Sequence, residues 1–135
     1  MSLFDCLACS GSGLSAQRQR MELIAQNLAN AETTGPGGPY RRKLVLFAEQ
    51  VGGLGLARGA SGVRVAGIVE DNSPPRLVYD PGNPLAEADG FVRKPNVNVV
   101  HEMVDLMAAV RAYEANVAVV NDTKRLVDAA LQLGG

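Results

Sequence analysis

Large aromatic side chains are scarce in this chain. Among 135 residues there is no tryptophan, and phenylalanine and tyrosine together make up 4% of the sequence. The apolar content of 47% is enough for a hydrophobic core, but few large side chains are available to fill it. The net charge of −1 gives no electrostatic reason to expect nucleic acid or an anionic membrane as a partner.

Long uninterrupted apolar runs are also missing. No window approaches the roughly 18 consecutive apolar residues that a membrane-spanning helix requires. The N-terminus does not have the features of a secretory signal, because it lacks a basic start, has Asp5 early and is interrupted by Ser-Gly-Ser-Gly at 10–13. We therefore expect a chain that stays in the cytosol or leaves it by a route that needs no cleaved signal.

No catalytic or metal-binding set of residues assembles in the sequence. Cys6 and Cys9 form a Cys-x-x-Cys pair, but no second pair exists and His101 is the only histidine. The glycines within 53–59 precede a predicted strand rather than a helix, so no helix N-terminus is available for a phosphate. We expect no enzyme activity, no cofactor and no small-molecule substrate. A Cys-x-x-Cys redox protein remains an alternative.

What the chain does have is an apolar stripe near each end, repeating every three to four residues. Such a period is typical of a coiled-coil seam, because it keeps one apolar edge facing a partner helix. We predict a helix–helix assembly seam from these stripes. Its residues are Leu7, Leu14, Met21, Ile24 and Leu28 near the N-terminus, and Met103, Leu106, Val110, Tyr113, Val117, Val120, Val127 and Leu131 near the C-terminus. Two amphipathic helices covering one small globular core are the alternative.

The stripes divide the chain into three parts. Residues 1–34 predict an N-terminal helical arm, with a helix at about 3–32 that ends before a Gly-Pro-Gly-Gly-Pro run. Residues 35–96 predict a small β-rich lobe, and residues 97–135 a C-terminal helical arm with a helix at about 97–133. The predicted fold class is α+β, with the two long terminal helices forming an antiparallel coiled-coil pair and the lobe at one end.

Three short strands are predicted in the lobe, at 41–50, 63–70 and 76–79. Between the first two lies a glycine-rich loop at 52–62, which we predict to be flexible. Leu54 and Leu56 in this loop are predicted to contact another chain in an assembled state.

The first helix contains an expected weakness at Gly11 and Gly13. Each glycine inside a helix costs about 1 kcal/mol relative to alanine. We therefore expect the N-terminal arm to order fully only against another element. The alternative is a short separate helix or a frayed terminus over residues 1–13.

Both arms resemble the terminal signatures of the bacterial flagellar rod, hook and axial proteins. In the first arm the matching segments are SGLSAQR at 12–18 and IAQNLANAETTG at 24–35, where the family usually has asparagine at positions 26 and 32. In the second arm they are NVNVV at 96–100, EMVDL at 102–106 and RAYEAN at 111–116. The family-motif residues are Asn27, Asn30, Thr33, Thr34, Arg111, Tyr113, Glu114 and Asn116.

The middle of the chain narrows the resemblance within this family. The segments GVRV at 62–65, IVED at 68–71, PPRLVYDPGNP at 74–84 and GFV at 90–92 resemble the C-type subunits of the proximal rod. The shortness of the lobe also agrees, because the distal rod and hook proteins insert much larger domains there.

The resemblance implies a structural subunit of the flagellar basal body that polymerises through its terminal helices, transmits torque and lines the export channel. It implies a periplasmic location in the rod, reached through the flagellar type III export apparatus without a cleaved signal peptide. The implied partners are copies of the chain, other rod subunits, and membrane-ring and rod-base adaptor proteins. Another axial rod or hook-type protein, or a small coiled-coil adaptor, remains an alternative.

Overall fold

Six regular elements make up the computed structural model, which describes residues 2–51 and 61–134. In chain order they are α1 (Leu3–Ala29), β1 (Lys43–Val51), β2 (Ser61–Glu70), β3 (Arg76–Tyr79), β4 (Phe91–Lys94) and α2 (Val99–Gly134). The two long terminal helices pack against each other, and antiparallel strands lie between them in sequence. The predicted α+β class with two paired terminal helices is confirmed.

Helix α1 begins with a capping box and runs without interruption. The Ser2 side chain accepts a hydrogen bond from the Asp5 backbone, and the Asp5 carboxylate accepts one from the Ser2 backbone. The helix is continuous through Gly11 and Gly13, so the alternative of a short separate helix is wrong. It ends three residues earlier than predicted, because Asn30 turns its amide back to the Gln26 carbonyl.

Helix α2 is the longer of the two, with 36 residues against 27 in α1. At a rise of 1.5 Å per residue it extends about 54 Å. The Asn98 side chain caps its start by accepting a hydrogen bond from the His101 backbone at 3.2 Å. The helix therefore begins at Val99, two residues later than predicted.

The helices run antiparallel in a regular register. Cys6 lies opposite Thr123, with 3.8 Å between the sulfur and the hydroxyl oxygen. Gly13 faces Asn116, and Asn27 donates a hydrogen bond to Glu102 at 3.3 Å. From the first pair to the second, the contact moves seven residues forward along α1 and seven back along α2. From the second pair to the third, it moves fourteen residues along each helix. A seven-residue repeat of contacts is typical of helices that cross at a shallow angle.

Strands β1 and β2 form an antiparallel hairpin, paired from Lys43 with Glu70 to Val51 with Ser61. This hairpin runs along α1 rather than lying at one end of the helix pair as predicted. Its open end meets α1 at Asn27, and near its closed end the Cys9 thiol donates a hydrogen bond to the Ser61 carbonyl at 3.0 Å. An isolated hairpin is only marginally stable, so packing on α1 explains its course.

The predicted strand bounds shift slightly in the structure. Strand β1 begins two residues later than predicted, and β2 begins at Ser61 inside the segment predicted as loop. Residues 52–60 lie outside the described residues, and the predictions for Leu54 and Leu56 lie there too.

The fourth strand, β4, was not predicted. It pairs with β3 from Arg76 with Lys94 to Tyr79 with Phe91, and the two rings meet edge to face at 5.3 Å between centroids. Gly90, just before β4, has a φ of +86°, and a Cβ there would lie 2.8 Å from the Tyr79 ring. Only glycine satisfies both conditions. With four residues, two of them basic, β4 has too little alternation to be recognised in the sequence.

The hydrophobic core is small. Its buried apolar residues are Ala16, Leu23, Ile24, Ala31, Val92, Val97 and Ala109. Many larger apolar side chains, including Phe4, Ile68 and Met107, stay exposed. In residues 2–51 and 61–134, no helix combines the length and apolarity needed to cross a bilayer. The chain thus retains a large apolar surface after folding.

Candidate functional site

The predicted assembly seam is divided between half-buried and exposed positions. On α1, Ile24 is buried, and Leu7, Leu14, Met21 and Leu28 are half-buried. On α2, Leu106, Tyr113, Val117, Val120 and Val127 are half-buried. Met103, Val110 and Leu131 are exposed, with 54%, 37% and 68% of their surface accessible. The single chain leaves these three without cover, and their role in assembly stays a prediction.

The contact between the helices uses a different stripe, displaced by one residue from the apolar one. Its members are Cys6, Gly13 and Asn27 on α1, and Glu102, Asn116 and Thr123 on α2. Ala109, one step of seven after Glu102, is fully buried. These residues are small or polar. A Cβ at Gly13 would lie 2.9 Å from the Asn116 amide nitrogen, so the missing side chain is what allows the helices to approach. Apart from Ile24, the larger apolar side chains of the predicted seam are therefore only half-buried or are exposed.

The outward surfaces of the two helices differ in character. On α2, the four large side chains Val100, Met103, Val104 and Met107 are all more than half exposed. We call these four residues the outer face of α2. On α1, the exposed positions Arg18, Gln19, Glu22 and Gln26 are polar, and Arg18 pairs with Glu22 at 3.9 Å. A contiguous apolar patch of this kind is typical of a protein–protein contact.

A polar network, in which Asn27 and Glu102 are buried and the other members half-buried, joins the helices to the strands. We call it the polar clasp, and its members are Asn27, Tyr40, Arg42, Asp71, Asn96, Glu102 and Asp105. Glu102 is fully buried and accepts a hydrogen bond from Arg42 Nε through Oε1. Buried carboxylates need such a partner, because an unpaired buried charge costs several kcal/mol.

Arg42 is the centre of the clasp. Besides Glu102, its guanidinium donates from Nη1 to Asp71 at 3.3 Å and from Nη2 to Asp105 at 3.4 Å. Burial lowers the pKa of Arg42, but its hydrogen bond and charge contact with Glu102 and its contact with Asp71 outweigh burial, so the pKa lies above its usual value. Arg42 thus remains a cation that holds three carboxylates together.

Asn27 uses its full hydrogen-bonding capacity in the clasp. Its amide nitrogen donates to the Lys43 carbonyl at 2.8 Å and to Glu102. Its amide oxygen accepts from the Lys43 backbone at 3.0 Å and from the Tyr40 hydroxyl at 2.8 Å. An asparagine side chain has two donors and two acceptor positions, and here all four are occupied. Asn27 therefore fixes the start of β1 against both helices.

Asn96 and Asp71 close the other side of the clasp. The Asn96 oxygen accepts from the Arg42 backbone at 2.8 Å, and its nitrogen donates to the Asp71 carbonyl at 3.0 Å. Hydrogen bonds from Ser73, and then the Arg42 guanidinium, lower the pKa of Asp71. Burial and the nearby negative charge of Glu102 raise the pKa of Tyr40. The clasp thus ties the segment after β2 and the segment before α2 to both helices.

The cysteines take part in packing contacts. Both thiols are free and half-buried, one facing Thr123 and the other donating to Ser61. In the part of the chain that the structure describes, no three histidine, cysteine or acidic side chains come together as a metal site would need.

The family-motif residues fall into two groups. Asn27 belongs to the clasp, and Asn30 caps α1 while accepting from the Thr33 hydroxyl at 3.1 Å. The others lie on the surface or at its edge: Arg111 and Glu114 are exposed, and Thr34, Tyr113 and Asn116 are half-buried. Sequence reasoning missed Tyr40 and Arg42 altogether. Asp71, Asn96, Glu102 and Asp105 entered only as parts of motifs, without these roles. One signal in the sequence could have indicated the buried positions of Asn27 and Glu102. Each directly precedes a residue of the predicted seam, Leu28 or Met103.

Two family models match the ends of the chain. The model described as "Flagella basal body rod protein" matches residues 7–36, and the one described as "Flagellar basal body rod FlgEFG protein C-terminal" matches residues 88–133. The first segment contains most of α1, and the second contains β4 and nearly all of α2.

Curated relatives match over almost the whole chain. The flagellar basal-body rod protein FlgC of Yersinia enterocolitica is 51% identical, with 99% of each chain covered. FlgC of Salmonella typhimurium is 48% identical and FlgC of Bacillus subtilis 44% identical, again with 99% of each chain covered. The helix pair with its uncovered apolar outer face is thus part of a chain that is 44–51% identical to these relatives over nearly its full length. Identity at this level shows that the chain belongs to the FlgC family of flagellar basal-body rod proteins.

Proposed function

We propose that the chain is a structural subunit of the proximal rod of the flagellar basal body, and that it polymerises through its terminal helices. The observation that carries this proposal is the full-length similarity to FlgC proteins. In the rod the subunit transmits torque, and its helices line the export channel.

The helix pair supplies a physical basis for polymerisation. The contact within the chain uses small and polar residues, so it leaves Met103 and Val110 exposed, and Leu131 near the end of α2 is exposed as well. Burying apolar surface yields about 25 cal/mol per Å², which favours covering these side chains by neighbouring subunits. A rod requires contacts between different surfaces of successive subunits, because such contacts propagate instead of closing.

The proposed partners follow from this location. They are other copies of the chain, other rod subunits, and the membrane-ring and rod-base adaptor proteins. We also propose that the chain reaches the periplasm through the flagellar type III export apparatus without a cleaved signal peptide. The clasp and the helix contact then act in folding and assembly, with no catalytic step.

A seam substitution tests the proposal. Val110→Asp places an unpaired charge where a neighbouring helix is expected, at a cost of several kcal/mol in the assembled state. Cells that carry this variant should make and export the chain but should not swarm, and the chain should be missing from purified basal bodies. Val110→Thr is the matched control without a charge. Full motility of Val110→Asp, with the variant present in basal bodies, would contradict polymerisation through this seam.

The cysteines provide a test against the redox alternative. Replacing both Cys6 and Cys9 by Ala keeps small side chains on that part of α1, so swarming should be retained. A strain that makes the double variant but is non-motile would favour a redox or metal role.

A further inference from the structure

Helix α2 extends beyond the start of α1. Because Cys6 lies opposite Thr123, Leu3 at the start of α1 lies level with Leu126. Residues 127–134 therefore continue for about 12 Å past α1. We call this segment the overhang.

The overhang has the composition of a buried helix end. Leu131 and Leu133 are 68% and 91% exposed, and Asp128 is its single charged side chain. The contact stripe of α2 continues into it, since one more step of seven from Thr123 reaches Ala130. Most helical stability in proteins comes from tertiary packing, and these last two turns receive none from α1. The surface that α1 covers on the rest of α2 is thus continuous with a surface that needs a partner.

A matching groove lies at the opposite end of the helix pair. It has a volume of about 540 Å³, and its apolar lining comes from Pro74, Pro95, Val97, Val99 and Val100. The groove is open to solvent along one side, and its volume leaves room for leucine side chains. Val97 is buried at its base, and Val100 is 67% exposed at its rim.

The charge at the rim of the groove complements the overhang. Glu32 accepts hydrogen bonds from Arg76 at 2.8 Å and from Lys94 at 3.2 Å, and both contacts lower its pKa. Two cations share one carboxylate, which leaves an excess of positive charge beside the groove. Asp128 would supply the missing negative charge from the overhang of another subunit.

Part of the groove and most of the overhang lie within the segments that match the two flagellar family models. Glu32 falls in the matched segment 7–36, and the second matched segment, 88–133, includes Pro95, Val100 and Leu131. A protein that matches both segments therefore has counterparts of Glu32, of residues 95–100 and of most of the overhang, whereas Pro74 and Arg76 lie outside both segments.

We propose that the overhang of this chain inserts Leu131 and Leu133 into the groove of the next axial subunit, and that its own groove receives the overhang of the preceding one. The occupant is an axial subunit with the same two terminal segments, which includes a second copy of this chain. The proposal rests on the proposed rod function. Because the overhang and the groove lie at opposite ends of the molecule, the contact propagates along an axis.

Site-specific photo-crosslinking in cells tests the contact. A benzophenone amino acid is placed at position 131, at position 100 or, as a control, at Gln19 on the polar surface of α1. After irradiation, basal bodies are purified and the crosslinked peptides are identified. The probe at 131 should capture the segment of an axial subunit aligned with residues 95–100, and the probe at 100 should capture a C-terminal helix end. The probe at Gln19 should capture neither.

Two variants extend the test to assembly. Leu131→Asp should lower the amount of the chain in basal bodies at least tenfold, measured against a ring protein, whereas Leu131→Met should not. If the chain is present in basal bodies but the probe at 131 captures a ring protein, a strand region or nothing, the proposed contact is wrong and the rod function stands. Full incorporation of Leu131→Asp would also overturn the contact. Absence of the wild-type chain from basal bodies would instead refute the rod function.

Discussion

At the scale of single residues, the polar clasp requires several side chains to meet with well-defined hydrogen-bond geometry. Glu102 and Asn27 are buried side chains that must each find partners from segments far away in sequence. Buried ion pairs give little net stability, because desolvation offsets most of the attraction. Buried ion pairs nevertheless restrict how strands and helices can pack. If the segment that carries Arg42 were displaced, the buried charge of Glu102 would lose its partner. We therefore expect the clasp to favour one arrangement of strands and helices.

Asn27→Ala should destabilise the isolated chain strongly. It leaves the backbone of Lys43 and the hydroxyl of Tyr40 without partners, and an unsatisfied buried group costs about 1–3 kcal/mol. We expect a loss of about 3 kcal/mol in the free energy of unfolding, measured by urea denaturation. Gln26→Ala, one residue earlier and exposed, is the control and should change it by less than about 0.5 kcal/mol. Equal effects of the two variants would show that the clasp is not rigid.

Asp71 should make stability depend on acid pH. Its pKa is lower in the folded chain than in the unfolded chain, mainly because Ser73 and then Arg42 donate hydrogen bonds to it. The resulting stability is fully present above the unfolded value of about 4 and is lost as pH falls through the folded value. The advantage of the wild type over Asp71→Asn, at most about 1 kcal/mol at pH 7, should disappear on acidification.

Thermal unfolding of both proteins between pH 7 and pH 2.5 measures this difference. Ser73→Ala removes the first cause of the lowered pKa and should weaken the pH dependence. A wild-type advantage that grows as the pH falls would have the wrong sign and would contradict this role of Asp71.

At the scale of elements, substitutions at Gly11 and Gly13 distinguish the effect of helix propensity from the effect of packing between the helices. Nothing lies within 4 Å of a Cβ placed at Gly11, whereas at Gly13 the Asn116 side chain is 2.9 Å away. Gly11→Ala should therefore raise the free energy of unfolding by about 1 kcal/mol through helix propensity alone. Gly13→Leu should lower it by about 1–3 kcal/mol, because the helices must separate.

Gly11→Leu is the matched control for the larger side chain and should be tolerated. Circular dichroism during thermal unfolding compares the variants. Equal tolerance of leucine at both positions would show that the close approach at Gly13 is not required for folding.

A buried oxygen on α1 offers a stabilising substitution. Gln17 Oε1 is buried and has no hydrogen-bond partner among the described residues. Gln17→Met keeps the length of the side chain and removes the unsatisfied atom, so we expect a gain of about 1 kcal/mol in the free energy of unfolding. Gln19→Met at an exposed position is the control. No gain at position 17 would indicate that the oxygen is satisfied in solution.

The sequence predicted the helices well and their contact less well. The apolar period and the glycine-proline run located α1 to within three residues and α2 to within two. The contact stripe lies one residue away from the apolar stripe, because Gly13, Ala109 and Thr123 allow closer packing than leucine would. The clasp could not be predicted, since Arg42 meets Glu102 across 60 residues of chain and no local pattern encodes that pairing. The short strand β4 depends on its partner β3 in the same way.

At the scale of the whole molecule, the two ends of the helix pair differ in how many hydrogen bonds hold the elements together. The clasp concentrates hydrogen bonds where α1 ends and α2 begins, whereas the opposite end has a weak thiol contact at Cys6 and the overhang. Amide exchange of the isolated chain at micromolar concentration should therefore be slowest near Asn27 and Glu102 and fastest in residues 127–134. Uniform protection along both helices would contradict this gradient.

Because the helices are antiparallel, the resistance of the molecule to a pulling force depends on which end of the helix pair is pulled. A force applied at Leu3 and directed away from α2 would load one contact at a time, first Cys6 with Thr123, then Gly13 with Asn116. Helix α1 would peel from its partner turn by turn, and the ionic cluster around Arg42 would be loaded last. A force that pulls the other ends of the helices apart would meet this cluster at once. The same fold is thus compliant when pulled from one end and resistant when pulled from the other.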